Sequence, residues 1–236
     1  MADDLNEVKE RVEWARGQIT ILASELLTYI QTGGFVTSIE DGPDGMTTLS
    51  VARGNKTMPT SIRINTGVIA HELRATLDSL ACTLAVRNGQ APKNVYFPVS
   101  RSEAIFLKDG LDKISKLSIA DRAMITALKP YAEGNPLLFA LHGCDLLRKH
   151  QRLVATTDGI GTFRLAGNAN AFTFHPKGPI SKTPRPVVGF ETGMIWTGDV
   201  AIDIQFSEPA FLTGKAILPT LRQFTGLVQS VIELFD

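Results

Sequence analysis

The stretch from Gly67 to Val86, GVIAHELRATLDSLACTLAV, constrains this chain more than any other. Leu73, Leu77, Leu80 and Leu84 recur at steps of three and four and form one apolar stripe, as a packed helix face requires. The other side is not a solvated charged surface, because His71, Arg74 and Asp78 stand there among Ala75, Cys82 and Ala85. Residues at i, i+3 and i+7 lie within about 60° of one another at 100° per residue, so the trio shares one strip. Small neighbours admit a second element closely. The helix is therefore expected to be packed on both sides, which calls for a helical bundle around it.

Residues 137–154 repeat the arrangement. His142, Asp145 and Lys149 have the same spacing, with His150 and Arg152 close by. The two strips carry complementary charges, so Arg74 is expected to meet Asp145 and Asp78 to meet Lys149. A buried charge without a partner costs several kcal/mol, on the order of the whole stability margin of a small domain, and a matched set avoids that cost.

The rest of the chain supplies the layers. Leu5, Val8, Val12, Ala15, Ile19, Leu22, Leu26, Tyr29 and Ile30 predict an amphipathic helix over residues 4–31, ended by Gly33-Gly34. Phe35 to Glu40 and Met46 to Val51 flank Asp41-Gly42-Pro43-Asp44-Gly45 and predict a hairpin. Ser61 to Ile64 reads as a short third strand, after which Asn65 or Thr66 caps the central helix. Ser102 opens a helix over Glu103 to Asp109, and Ser118 or Asp121 opens another that Lys129-Pro130 stops. Asn135-Pro136 begins the second signature helix with proline in the favoured first position. From Thr156 the composition shifts to Gly, Thr and Phe. Thr162 to Leu165, Phe172 to Phe174 and the alternating Val200 to Phe206 read as strands, the last expected to join the early hairpin in one sheet. Pro176, Pro179, Pro184 and Pro186 predict an intervening loop of about ten residues, expected to be mobile. Ile217, Leu218, Leu221, Phe224, Val228, Val231, Ile232 and Phe235 predict a closing amphipathic helix over the sheet. The expected fold is α+β: a helical bundle core, a mixed or antiparallel sheet and a long terminal helix. It is read as a single domain over 1–236, helix-rich over 1–155 and β-rich over 156–236.

Composition narrows the function classes. Hydrophobic residues make up 44 % of the 236 and charged residues 20 %, enough for a core without disulfides or metals. Lys+Arg and Asp+Glu both number 24, so no whole-molecule basic field drives nucleic-acid binding. Met1-Ala2-Asp3-Asp4-Leu5 lacks the pattern of a signal peptide, and the longest apolar run, Ile19 to Ile30, is interrupted by Ser24, Glu25 and Thr28. The expectation is a cytoplasmic protein away from membranes. Cys82 and Cys144 form no C-x-x-C and read as free buried thiols.

The signature faces admit two kinds of chemistry. One is a polar network that sets the register of two packed helices. The other is a site in which His71, His142 or His150 acts as general acid or base while Arg74, Lys149 or Arg152 binds an anion such as phosphate. Metal ligation by His142 and Asp145 together with His71 and Glu72 or Asp78 is disfavoured, because Arg74 and Lys149 on the same strips repel a cation. His175, beside Pro176, reads as structural. Asp158-Gly159-Ile160-Gly161 precedes a strand and reads as a turn rather than a phosphate cradle. P-loop, H-E-x-x-H, G-x-S-x-G and G-x-G-x-x-G motifs are absent, and no cofactor is expected.

The run Ile69-Ala70-His71-Glu72-Leu73-Arg74-Ala75-Thr76-Leu77-Asp78-Ser79-Leu80 resembles the G-D-x-x-H-N-L-R-S-A-L-D-H-L helix of a family of uncharacterised bacterial proteins. Leu146 to Leu153 resembles that family's second helix, which ends in D-K-H-R, and Phe97-Pro98 and Lys129-Pro130-Tyr131 match its Phe-Pro and Q-P-Y stretches. His71, Arg74, Asp78, Lys149 and His150 keep the signature. Glu72, Ser79, Arg148 and Gln151 depart from it, which puts in doubt any chemistry that needs the replaced residues. The helical part also resembles HEPN-type bundles, many of them metal-independent ribonucleases, but their R-x4–6-H spacing is missing here. The expected function is a ligand-binding or partner-binding domain with a structural inter-helix network, assembling as a homodimer through its terminal helices. The alternative is a phosphodiester-acting enzyme of HEPN type, with RNA as its partner.

Overall fold

The computed structural model describes residues 4–43, 45–150, 156–167, 172–174, 180–191 and 196–236. It is an α+β fold ending in a long helix. The helices are α1 (Asn6–Tyr29), α2 (Thr60–Arg87), the short α3 (Glu103–Ile105), α4 (Ile119–Ala127), α5 (Pro136–His150) and α6 (Ile217–Glu233). The strands are β1 (Phe35–Asp41), β2 (Met46–Arg53), β3 (Thr156–Gly167), β4 (Phe172–Phe174), β5 (Arg185–Glu191) and β6 (Trp196–Phe206).

The chain divides into two compact units. Residues 1–21, 64–154 and 218–236 form the first, and residues 22–63 and 155–217 form the second. Both units are discontinuous in sequence, so neither coincides with the helix-rich 1–155 or the β-rich 156–236 part of the chain. The early hairpin belongs with the tail because β2 hydrogen-bonds to β5, while all but the first residue of α6 belongs with the other helices.

In the first unit the helical stripes are buried as their periodicity requires. Val8, Val12 and Ala15 of α1, Leu73, Leu77, Leu80 and Leu84 of α2, Leu138 and Leu141 of α5, and Leu221, Phe224 and Val228 of α6 are all at most 1 % exposed. Each fully buried leucine contributes roughly 1.5–3 kcal/mol through removal from water. Polar bridges set directions. Arg11 meets Glu72 at 3.2 Å and Arg87 meets Asp4 at 2.6 Å, so α1 and α2 run antiparallel. Arg16 donates to Gln229 at 3.1 Å and Lys9 meets Asp236 at 2.5 Å, so α6 runs antiparallel to α1.

The start of α2 corrects one expectation. Ser61 to Ile64 is helix, not strand, and α2 begins at Thr60, just after Pro59. Ile62, Thr66, Ile69 and Leu73 are buried while Ile64 is 43 % exposed, which follows the helical repeat. Over four residues the two periods cannot be told apart. The capped starts of α4 and α5 are as expected: Ser118 Oγ accepts from Asp121 N at 3.1 Å and Asn135 Oδ1 from Leu138 N at 3.1 Å. Ser102 caps α3, which continues as tighter and looser turns to Ile114.

In the second unit the described strands form two antiparallel sheets, ordered β1-β2-β5 and β4-β3-β6. The hairpin pairs Phe35 with Arg53 through Asp41 with Thr47. Its third strand is β5, whose first two residues, Arg185 and Pro186, fall in the stretch the prolines had marked as loop. At the sheet edge a proline's missing donor costs little, and the register shifts where Ser50 faces Pro186. Val200 to Phe206 pairs with β3 in the other sheet rather than with the hairpin. Ile202, Ile204 and Phe206 are buried in alternation with half-exposed Asp203 and Gln205, as read. Asp158 to Gly161 lies inside β3, with a register shift between Ile160 and Thr162, so it is a bulged strand and not a turn. Leu49, Val51, Ile180, Val187 and Ile202 make this unit's core. Among the described residues no helix is long and apolar enough to cross a membrane.

Candidate functional site

The two signature strips face each other in the first unit. His71 Nδ1 lies 2.6 Å from Asp145 Oδ1, and Arg74 Nε donates to His142 Nδ1 at 3.3 Å. The pairs 71 with 145 and 74 with 142 run in opposite chain directions, so α2 and α5 are antiparallel. The partners differ from those expected. Arg74 does not take Asp145. It turns to Asp78 on its own helix, Nη1 to Oδ1 at 2.7 Å, and its Nη2 donates to the Phe97 carbonyl at 2.9 Å.

Phe97 is the participant that side-chain patterning missed. Its N–H donates to Asp78 Oδ1 at 2.9 Å, so Arg74 and Asp78 hold both backbone groups of one residue. The signal was Pro98: a residue before proline is pushed to extended backbone, which leaves its N–H and C=O outside any helix ladder. Phe97 is fully buried, and those groups need partners there. The Arg74–Asp78 pair supplies them at a cost in desolvation that the matched charges offset.

The four strip residues differ in access. Arg74 is 5 % exposed and Asp145 2 %, whereas the His71 side chain keeps 32 % of its surface in water. His142 is half-buried. Burial, then the Arg74 charge, push the His142 imidazole down to about 4, so the ring is neutral at pH 7. Asp145 and Asp78 act the other way, and Lys113 adds to the Arg74 effect. With Nδ1 accepting from Arg74, the His142 hydrogen sits on Nε2. His71 is the reverse, since a carboxylate only accepts and Nδ1 must therefore carry the hydrogen. Both rings are part-exposed, and among the described residues their hydrogen bonds run through Nδ1.

Glu72, a departure from the resembled signature, binds Arg11 of α1 at 3.2 Å. Cys82 and Cys144 are free thiols; burial pushes Cys144 up to about 12, with Asp145 adding to the effect. Among the described residues no group of three or more His, Cys, Asp or Glu is placed to hold a metal ion. The side chains of Lys149 and His150, and all of Arg152 and His175, lie outside the described residues, as does the expected Asp78–Lys149 pair.

No protein-family model matches the chain, and comparison with curated proteins and with solved structures finds no match either.

Proposed function

We propose that this chain is a ligand-binding domain in which the Arg74–Asp78–Phe97 part of the seam is structural and the imidazoles of His71 and His142 face the ligand. One observation carries the reading: Arg74 is buried and paired with Asp78, while the His71 side chain keeps 32 % of its surface in water and His142 is half-buried. A phosphodiester-acting site of HEPN type would need that guanidinium open to an anion. The same proposal keeps the resemblance to the family with the H-N-L-R-S-A-L-D-H-L helix, a cytoplasmic location and a homodimer. The outward face of α1 supports the dimer, with Trp14 42 % and Ile21 52 % exposed seven residues apart.

Incubation with labelled RNA, together with imidazole nitrogen spectra, tests this reading. The expected result is intact RNA and unmoved His71 and His142 signals. Cleavage abolished by His71→Ala and by Arg74→Ala in folded variants would establish the phosphodiester reading instead. For the dimer, Trp14→Glu is expected to lower the mass measured by light scattering; a wild-type monomer would remove that part.

A further inference from the structure

α2 closes on Asn88-Gly89, the one Asn-Gly step in the chain. Gly89 takes the left-handed conformation, φ 69°, its N–H donating to the Val86 carbonyl at 2.8 Å and the Gln90 N–H to the Ala85 carbonyl at 2.9 Å. This is the glycine-centred turn that satisfies the last carbonyls of a helix. Asn88 also reaches outward, and its Nδ2 donates to the Lys116 carbonyl at 2.9 Å. Lys116 returns the contact, since its Nζ donates to the carbonyls of Ala91 at 3.1 Å and Lys93 at 2.6 Å. A single residue thus clasps both ends of the turn over 88–93. The carbonyls of Pro92 and Val95 accept from Cys82 Sγ at 3.8 and 3.6 Å, so the clasp holds the turn against a half-buried thiol.

We infer that Asn88 is a deamidation site whose reaction is gated by this helix end and whose product opens the clasp. Asn88 and Gly89 are both exposed to water, and glycine carries no side chain to hinder its own nitrogen. In the step the Gly89 nitrogen loses its proton and bonds to Asn88 Cγ, while Nδ2 leaves with a proton as ammonia. Water then adds across one C–N bond of the cyclic imide and gives aspartate or isoaspartate. Amide and water become carboxylate and ammonium, with no other reactant. In the closed turn the attacking nitrogen is bonded to the Val86 carbonyl and the leaving one to the Lys116 carbonyl, so reaction waits for the end of α2 to open. The product does not close again in the same way. A carboxylate has no donor for the Lys116 carbonyl, and its charge opposes the negative end of the helix dipole. The isoaspartate form also lengthens the backbone by one carbon inside the capping turn.

The test incubates the full chain in mildly alkaline buffer, folded and in urea, and follows the tryptic peptide from Asn88 to Lys93 by mass spectrometry. Folded protein is expected to convert, more slowly than the unfolded chain, and folded Gly89→Ala is expected to lose the conversion because its Cβ hinders the attack. A folded protein that never converts, or that converts as fast as the unfolded chain, would overturn the gated site. For the clasp, Asn88→Asp stands in for the product. Ellman's reagent is expected to label Cys82 roughly fivefold faster than in wild type, the opening that loss of one hydrogen bond allows, with buried Cys144 as the unreactive control. Wild-type labelling of Cys82 in that variant overturns the clasp. Should Cys144 label as well, the variant has unfolded, and Lys116→Met, which removes the ammonium from Ala91 and Lys93, carries the test with the same expected rise.

Discussion

His71 on α2 and Asp145 on α5 are joined at 2.6 Å, although the charges along the two helices favoured an arginine in that place. Arg74, one turn further on, bonds instead to Asp78 and to the Phe97 backbone. The reason is accounting of polar groups. The extended backbone at Phe97 presents a donor and an acceptor to a dry interior, and an Arg–Asp pair four residues apart on a helix satisfies both at once.

Replacing Arg74 by Met is therefore expected to cost about 3–5 kcal/mol, because Asp78 and the Phe97 carbonyl both lose their donor. Arg74→Lys should recover only part, since one ammonium cannot reproduce the planar fork that reaches Asp78, Phe97 and His142. Urea unfolding midpoints measure both. A loss below 1 kcal/mol for Arg74→Met would show that the pair is not what holds Phe97.

The depressed pKa of His142 makes stability depend on pH. The unfolded imidazole titrates near 6.5 and the folded one near 4, so between those values the unfolded state binds more protons. Stability is thus fully present above pH 6.5 and falls as pH drops toward 4, by on the order of 2–3 kcal/mol. His142→Gln is expected to flatten that part of a thermal-melt series against pH. An unchanged slope in the variant would assign the acid loss to other groups.

Two glycines should respond oppositely to alanine. A Cβ on Gly54 would sit 2.1 Å from the Gly33 carbonyl oxygen, where the backbones are tied by Gly54 N to Gly34 O at 2.9 Å. Gly54→Ala must displace that backbone and is expected to destabilise by about 1–3 kcal/mol. Gly17 lies inside α1 with open space around its Cβ, and Gly17→Ala should stabilise by about 1 kcal/mol through helix propensity. Calorimetric Tm values for the pair decide the sign.

Thiol chemistry distinguishes the cysteines. Cys144 is fully buried with its pKa pushed up to about 12, while half-buried Cys82 is raised by burial and by Asp78. Neither forms thiolate readily near pH 7. Ellman's reagent should label Cys82 slowly and leave Cys144 untouched in the native protein, with both reacting in urea. Fast native labelling of Cys144 would contradict its burial.

The α+β class, the hairpin, the caps at Ser118 and Asn135 and the buried stripes of the long helices were legible because each rests on local periodicity or on one residue's backbone preference. Ile62 and Ile64 misled because four residues satisfy both repeats. β5 was hidden by Pro186, whose penalty disappears at a sheet edge.

The sequence by itself determined that the strips around His71-Arg74-Asp78 and His142-Asp145 should meet a partner, since small neighbours and leucine backs call for packing on both sides of the helix. Which atom meets which was decided by tertiary structure. A helix face specifies charge to within a turn, whereas a hydrogen bond is settled within a few tenths of an ångström. The deciding groups included the backbone of Phe97, which no side-chain pattern reveals. That choice closed Arg74 inside the protein and left the His71 side chain with 32 % of its surface in water.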